Sequence, residues 1–119
     1  MITADSFIAV YIMASGRNGT LYAGVTSALP IRVWQHKSKQ FRGFTARYGC
    51  ARLVWFEPHA SIIDAIAKEK WVKHLPRAAK LRMIERDNPE WRDLSDGWFE
   101  ETTWDFDGTY EAGLNALLK

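Results

Sequence analysis

Four side chains near the start of the chain are of types that could bind a phosphate group and move protons at it. Tyr11 and Tyr22 are eleven positions apart, and Arg32 and His36 follow four positions apart from each other. Together they offer two phenol oxygens, a fork of N–H donors and a titratable imidazole. Taken singly, each has a plainer interpretation, because a strand tyrosine usually packs in a core and a lone arginine or histidine usually lies on a helix surface. The combination is what indicates phosphate chemistry.

The two tyrosines are predicted to lie on the strands of a β-hairpin. Residues 7–14 are an unbroken apolar run, which is typical of a strand covered on both faces. The turn that follows contains Asn18 and Gly19, a pair that accepts positive φ readily. The next segment alternates, so that Tyr22 and Gly24 share one face of the second strand. Because Gly24 has no side chain, we expect a ligand to approach the backbone closely there.

Arg32 and His36 are expected to project from one face of a first helix. The helix is predicted from about Leu29 to Lys39, since Pro30 fits a first helical turn. Residues four apart lie above one another on a helix, so the guanidinium and the imidazole should be neighbours. The buried side of the helix is expected to consist of apolar residues, namely Ile31 and Trp34, with Val33 in part.

A second helix carries a carboxylate that needs an explanation. After a third strand over residues 52–57, Ser61 is expected to cap a helix whose inward stripe contains Glu69 among apolar residues. The apolar members of that stripe are Ile62, Ile66, Val72 and Leu75. A carboxylate on an apolar face needs a cation, a metal ion or hydrogen-bond donors, and a structural salt bridge explains it as well as a metal site does. With a third helix over residues 77–85, the elements predict an α/β fold with a small three-stranded antiparallel sheet flanked by helices.

The distribution of charge favours a polyanionic partner. Residues 1–84 contain thirteen Lys/Arg and four Asp/Glu, whereas residues 85–111 contain two Arg and ten Asp/Glu. A basic body suits nucleic acid, although ordinary solvated surface explains a charge excess equally well. The single Cys50 excludes an intramolecular disulfide and a cysteine-based zinc site. No signal peptide or membrane span is apparent, so a cytoplasmic location without membrane contact is expected.

These residues, in their order, resemble the pattern of the GIY-YIG nuclease domain in the short standalone form found in bacteria. The resemblance extends over roughly residues 7–94 and rests on Val10-Tyr11, Tyr22-Ala23-Gly24, Arg32, His36 and Lys68-Glu69-Lys70. The departures are modest: Ala9-Val10-Tyr11 stands for Gly-Ile-Tyr, Ala23 for isoleucine, and Lys68 for an arginine that often precedes the glutamate. The resemblance implies a nuclease domain over residues 1–94, followed by an acidic, aromatic extension over residues 95–119.

The resemblance also implies an activity, namely metal-dependent endonucleolytic hydrolysis of phosphodiester bonds in DNA, with repair or processing of structured DNA as the setting. Glu69 would be the ligand of one Mg²⁺ or Mn²⁺ ion, with water and phosphate oxygens completing the shell. Arg32 would hold a non-bridging phosphate oxygen, and Tyr11 or Tyr22 would accept the proton of the attacking water. A tyrosine at its usual pKa of ~10 is a weak base at neutral pH, so the site would have to lower that pKa. His36 would either assist the tyrosine or bind phosphate.

Nucleic-acid binding is expected from Gly24 and from basic residues in and after the first helix, namely Lys37, Lys39, Arg42 and Arg47. The alternative is that the arginines of this loop are simply solvated. The ten carboxylates of residues 85–111 suggest that the extension competes with DNA for the basic face or docks a protein partner.

The sequence leaves two other functions open. One is a non-catalytic nucleic-acid-binding module of the same fold. The other is a protein-interaction domain in which the tyrosines and Glu69 are ordinary core and surface residues. A carboxylate on an apolar stripe favours the nuclease, because a pure binding module has no use for it.

Overall fold

A three-stranded sheet forms the centre of the computed structural model, which describes residues 7–38 and 47–99. The strands are β1 (Ala9–Ala14), β2 (Leu21–Thr26) and β3 (Arg52–Pro58), and the longer helices of these two segments are α1 (Leu29–Lys37), α2 (Ile62–His74) and α3 (Arg77–Asp87). Both strand pairs are antiparallel, and the strand order is β2-β1-β3. The predicted α/β class, with a three-stranded antiparallel sheet flanked by helices, is therefore confirmed.

The middle strand β1 is covered on both faces, as its unbroken apolar sequence predicts. All six of its residues are buried. Val10 and Ile12 point into a core that includes residues of α2 and α3, whereas Tyr11 and Met13 point into a second core that includes residues of α1. This alternation follows from the two-residue period of a strand. The first helix therefore covers one face of the sheet, and the other two helices cover the opposite face.

The turn between β1 and β2 is held by contacts at both ends. The backbone N–H of Ser15 donates to the carbonyl of Thr20 at 3.0 Å. Asn18 adopts a φ of 56°, the positive value that the Asn-Gly pair predicts. From the start of α3, the guanidinium of Arg77 donates to the carbonyls of Asn18 and Gly19, each at 2.8 Å. These bonds attach the hairpin to α3, which lies on the face of the sheet opposite α1.

The outer edge of β3 is covered by the segment that follows α3. The Asn88 side chain donates to the carbonyl of Val54 at 3.1 Å, and the Leu94 N–H donates to the carbonyl of Leu53 at 2.7 Å. Trp91, whose φ is 57°, is completely buried against this edge. Backbone groups that an edge strand would leave unpaired are therefore satisfied on the β3 side.

Packing continues past Leu94, where the sequence suggested that the nuclease domain ends. The ring of Trp98 lies 6.0 Å from that of Phe56, and the ring of Phe99 lies 5.5 Å from that of Trp34. Residues 95–99 thus pack on the face that carries α1. The rest of the predicted extension, residues 100–119, lies outside the described residues, so its proposed partner and its competition with DNA stay predictions.

Two details of the helices differ from the prediction. The first helix ends at Lys37, two residues earlier than expected, and α3 continues to Asp87. On α1, Val33 is completely buried, while Trp34 is only half-buried and its ring contacts Phe99. The predicted cap of α2 is confirmed, since the Ser61 hydroxyl accepts hydrogen bonds from the first turn of that helix.

The apolar stripe predicted for α2 is confirmed at Val72 and wrong at Ile62 and Ile66. The buried residues of α2 are Ala65 and Val72, while Ile62 and Ile66 are each 39% exposed. A small alanine allows the helix to approach the sheet closely, and the helix turns the Ala65–Val72 line toward the core. Ile62 and Ile66 lie to one side of that line, on the same side as Glu69. None of the helices in the described part of the chain combines the length and apolarity needed to cross a bilayer.

Candidate active site

The sheet brings the two tyrosines together on the face that α1 covers. Tyr11 is paired with Gly24 across the β1–β2 ladder, and Tyr22 is paired with Met13 two residues further along. Residues two apart on a strand share a face, so both phenol rings project from the same side of the sheet. Their ring centres are 6.3 Å apart.

His36 comes from α1 and completes a cluster of three rings. Its Nε2 atom lies 2.8 Å from the Tyr11 hydroxyl oxygen, which is hydrogen-bond distance. The imidazole centre is 5.5 Å from the Tyr11 ring and 5.4 Å from the Tyr22 ring. Tyr11 is 1% exposed and His36 is 4% exposed, while Tyr22 is half-buried at the sheet edge. Access to the cluster from solvent therefore runs past Tyr22.

The structure explains the glycine at position 24 by packing, whereas the sequence suggested close approach of a ligand. A Cβ atom at this position would lie 2.6 Å from the Tyr11 hydroxyl oxygen and 2.7 Å from the adjacent ring carbon. The space that we expected to admit a ligand is therefore filled by the phenol of Tyr11. A side chain here would displace Tyr11 from its hydrogen bond with His36, so Gly24 positions the cluster by packing.

The surroundings keep both members of the Tyr11–His36 pair neutral. Burial raises the pKa of Tyr11 well above its ordinary value, with the neighbouring Tyr22 and Glu69 adding to the rise and the charge of Arg32 opposing it. Burial, together with the charge of Arg32, lowers the pKa of His36 to about 4. A protonated phenol beside a neutral imidazole can donate its O–H to the unprotonated ring nitrogen. The pair is thus held by a hydrogen bond whose proton rests on Tyr11.

Arg32 supplies positive charge to this cluster from the same helix as His36. It lies one turn before His36 on α1, and its side chain is half-buried. Its charge opposes the rise in the pKa of Tyr11 and adds to the fall in the pKa of His36. Guanidinium N–H groups at such a position are suited to a phosphate oxygen.

Glu69 reaches the cluster from the opposite face of the sheet. It lies on α2 with its side chain 15% exposed, and its negative charge raises the pKa of Tyr11. Lys73, one turn further along the helix, has its Nζ 3.3 Å from Glu69 Oε2 and 6.0 Å from the centre of the Tyr22 ring. This side of α2 therefore lies along the β2 edge, where side chains from both faces can meet.

The side chains around Glu69 suit Mg²⁺ or Mn²⁺ better than a metal whose ligands all come from the protein. No cluster of three or more His, Cys, Asp or Glu side chains suited to holding a metal occurs within residues 7–38 and 47–99. Zinc sites require three or four such ligands. Mg²⁺ commonly binds through one or two carboxylates, with waters and substrate phosphate oxygens as its other ligands. The single partly buried carboxylate of Glu69 satisfies that pattern.

The residues predicted to bind nucleic acid have different surroundings from one another. Lys37 forms an ion pair and hydrogen bond with Asp93. Burial would raise the pKa of Asp93, but hydrogen bonds from Lys37 and Ser95 hold it below its ordinary value. Lys37 therefore serves to fasten α1 to the segment after α3. Arg47 is exposed with its guanidinium 5.6 Å from the Tyr48 ring centre, so its predicted binding role stays a prediction.

Lys39 and Arg42 lie outside the described residues.

Sequence reasoning missed Lys73 as a member of the site. Its spacing of four residues after Glu69 is the signal that could have identified it, because an acid followed by a base at that spacing commonly pairs on a helix.

Comparisons with known proteins find similarity over most of the described residues. The family described as "GIY-YIG catalytic domain" matches residues 7–82. The UPF0213 protein OB0043 of Oceanobacillus iheyensis is 30% identical over 81 residues, which are 68% of this chain and 93% of that relative. The solution NMR structure of the UPF0213 protein BH0048 from Bacillus halodurans is 26% identical, with a TM-score of 0.47 over 76% of this chain and 96% of that one. The family match contains all five residues of the candidate site.

Proposed function

Because the chain belongs to the GIY-YIG catalytic domain family, whose match indicates a nuclease-type function, we propose that it is a divalent-metal-dependent endonuclease that hydrolyses phosphodiester bonds in DNA. The observation that carries the proposal is the cluster of the Tyr11, Tyr22 and His36 rings, together with the charges of Arg32 and Glu69 that act on the pKa of Tyr11. A core that served packing alone would have no use for a charged arginine and a carboxylate beside two phenols.

The proposal assigns substrate binding first to Arg32. Its guanidinium would hold a non-bridging oxygen of the scissile phosphate and stabilise the charge that develops on it in the transition state. Burial keeps His36 neutral by lowering its pKa, and the charge of Arg32 adds to that effect. When a phosphate oxygen neutralises Arg32, His36 becomes a better proton acceptor, because the nearby positive charge no longer opposes its protonation.

Proton transfer is assigned to the Tyr11–His36 pair. Tyr11 would take the proton of the attacking water while passing its own proton to His36 Nε2, 2.8 Å away. This assignment ranks the two roles considered for His36, since a buried imidazole bonded to the phenol is better placed to assist Tyr11 than to bind phosphate directly. Tyr22, at the exposed end of the cluster, would orient the water.

Glu69 would hold the metal ion. A bound Mg²⁺ or Mn²⁺ supplies positive charge that neutralises the phosphate, stabilises the leaving 3′ oxygen and lowers the pKa of nearby phenols. That last effect is needed, because in this structure burial raises the pKa of Tyr11. Before substrate and metal bind, both Tyr11 and His36 would be neutral, so no proton would pass between them in the free protein.

A cleavage assay with end-labelled single-stranded, duplex and branched DNA tests the proposal. We expect cleavage with Mg²⁺ or Mn²⁺ and none with EDTA. Replacing Glu69 by Gln should lower the rate by about a hundredfold or more, because the metal's only protein carboxylate in the proposal is removed. The matched control is Asp64→Asn, which removes an exposed carboxylate from the first turn of the same helix.

The outcomes separate the three functions. Metal-dependent cleavage that Asp64→Asn retains and Glu69→Gln loses supports the nuclease. Retention of DNA in a gel-shift assay without cleavage under any metal condition would point instead to the non-catalytic binding module. Absence of both retention at low salt and cleavage would favour the protein-interaction domain.

A further inference from the structure

Lys73 holds a position between the carboxylate and the outer tyrosine of the site. Its ammonium is within ion-pair distance of Glu69 and lies above the ring of Tyr22. The lysine side chain is 47% exposed, about three times as much as that of Glu69. The ammonium therefore approaches the carboxylate from the solvent side, which is the direction from which a dissolved cation would arrive.

The ion pair between Glu69 and Lys73 is a weak one. A glutamate followed four residues later by a lysine is the favourable orientation on a helix, yet such pairs stabilise by only a few tenths of a kcal/mol. Solvent around the half-exposed ammonium screens the attraction further. Lys73 thus supplies the cation that a mostly buried carboxylate requires, and separating the two groups costs little free energy.

Resting on the proposed function, in which Glu69 is the metal ligand, we propose that Lys73 is a positioning residue that occupies the Glu69 carboxylate until a divalent cation displaces it. Both cations are attracted to the same two oxygens, and they repel each other when both are present. Lys73 therefore competes with the metal for that carboxylate.

A salt bridge that only stabilised the helix would behave differently. Removing it would lower stability slightly and leave metal binding unchanged, or weaken metal binding if Glu69 lost its orientation. Competition has the opposite sign: removing the ammonium should strengthen metal binding. The sign of the change in metal affinity therefore distinguishes the two roles.

The experiment is a titration of the 119-residue protein with Mn²⁺ in the absence of nucleic acid, in which free Mn²⁺ is measured by electron paramagnetic resonance. We expect Lys73→Met to bind Mn²⁺ about two- to fivefold more tightly than the native protein, because it loses both the competing ion pair and the repulsion. Lys73→Arg retains a competing cation and should bind close to the native value. Lys73→Gln provides a second uncharged variant, and thermal unfolding in EDTA verifies that each variant is folded.

Lys70→Met is the matched control, since it removes an exposed lysine next to Glu69 in the chain but on another side of the helix. Unchanged or weaker Mn²⁺ binding by both uncharged Lys73 variants would overturn the inference, and so would equal tightening by Lys70→Met, which would signify a general charge effect. Glu69→Gln separates this inference from the proposed function. If Glu69→Gln binds Mn²⁺ like the native protein, the metal role of Glu69 is wrong and the role of Lys73 fails with it. If Glu69→Gln loses Mn²⁺ while Lys73→Met does not gain it, only the role of Lys73 is overturned.

Discussion

Mild acid should destabilise the folded protein through His36. The pKa of this buried imidazole is lowered to about 4 in the folded state, against an ordinary value of 6.5. As the pH falls below 6.5, the unfolded chain takes up a proton on this histidine and the folded chain does not. The stabilising difference is therefore complete above pH 6.5, is lost progressively between pH 6.5 and 4, and changes no further below pH 4.

The size of the effect follows from the two pKa values. At pH 5 the imidazole is about 97% protonated in the unfolded chain and about 9% protonated in the folded protein, which corresponds to a loss of roughly 2 kcal/mol in the free energy of unfolding. By pH 4 the loss approaches about 3 kcal/mol. The carboxyl of Asp93 contributes in a lower window, because its pKa is held below the ordinary 3.8 and its contribution is lost only as the pH falls through that range.

Urea unfolding at a series of pH values between 8 and 4.5 measures this dependence. The midpoint should fall by about 1–2 M urea between pH 8 and pH 5, given a typical dependence on urea for a small domain. His36→Gln should abolish most of the slope, whereas His74→Gln, which removes an exposed histidine of α2, should keep it. A midpoint that is flat over this range, or an equal slope in His36→Gln, would show that His36 is not held neutral by burial.

Three further predictions concern packing and the C-terminal extension. Gly24→Ala should lower the free energy of unfolding by about 1–3 kcal/mol and reduce cleavage, because its methyl group overlaps the Tyr11 hydroxyl; Gly16→Ala, whose methyl group meets no atom within 4 Å, is the control in urea unfolding and in the cleavage assay. Asn88→Ala should lower the free energy of unfolding by about 2–3 kcal/mol in the same urea assay, because it removes the buried hydrogen bonds at the β3 edge. Deleting residues 100–119, which contain five carboxylates, should raise DNA affinity severalfold at low salt in a fluorescence-anisotropy titration if the extension competes with DNA; unchanged affinity in a folded truncation would dispose of that competition.

The parts of the site that local periodicity determines could be read from the sequence. Alternation along β2 and the apolar run of β1 were sufficient to predict a hairpin with one face carrying Tyr22, and the four-residue spacing was sufficient to put Arg32 and His36 on one helix. Such patterns depend only on the repeat of a strand or helix. They hold here because each element keeps its regular geometry over the residues concerned.

The parts that depend on how elements pack could not be read in the same way. Sequence periodicity placed Ile62 and Ile66 in the core, but α2 packs on the sheet through Ala65 and Val72 and leaves both isoleucines partly exposed. The reason for Gly24 lies in a ring on the neighbouring strand, and the function of Lys37 as the partner of Asp93 joins residues 56 positions apart. Contacts of this kind appear only once the elements are assembled.

The candidate site also requires that β2 be an edge strand. Tyr11 projects from the face covered by α1, whereas Glu69 belongs to a helix on the opposite face, so the two can act on each other only around an edge of the sheet. Adjacent strands are about 4.8 Å apart, which leaves a single strand between Tyr11 and that edge. Gly24 is the residue of that strand directly opposite Tyr11, and its missing side chain lets the phenol lie across it. Within residues 7–38 and 47–99 no further strand pairs with β2. A strand added there would separate Glu69 and Lys73 from the ring cluster, so the proposed substrate and metal would approach along this edge.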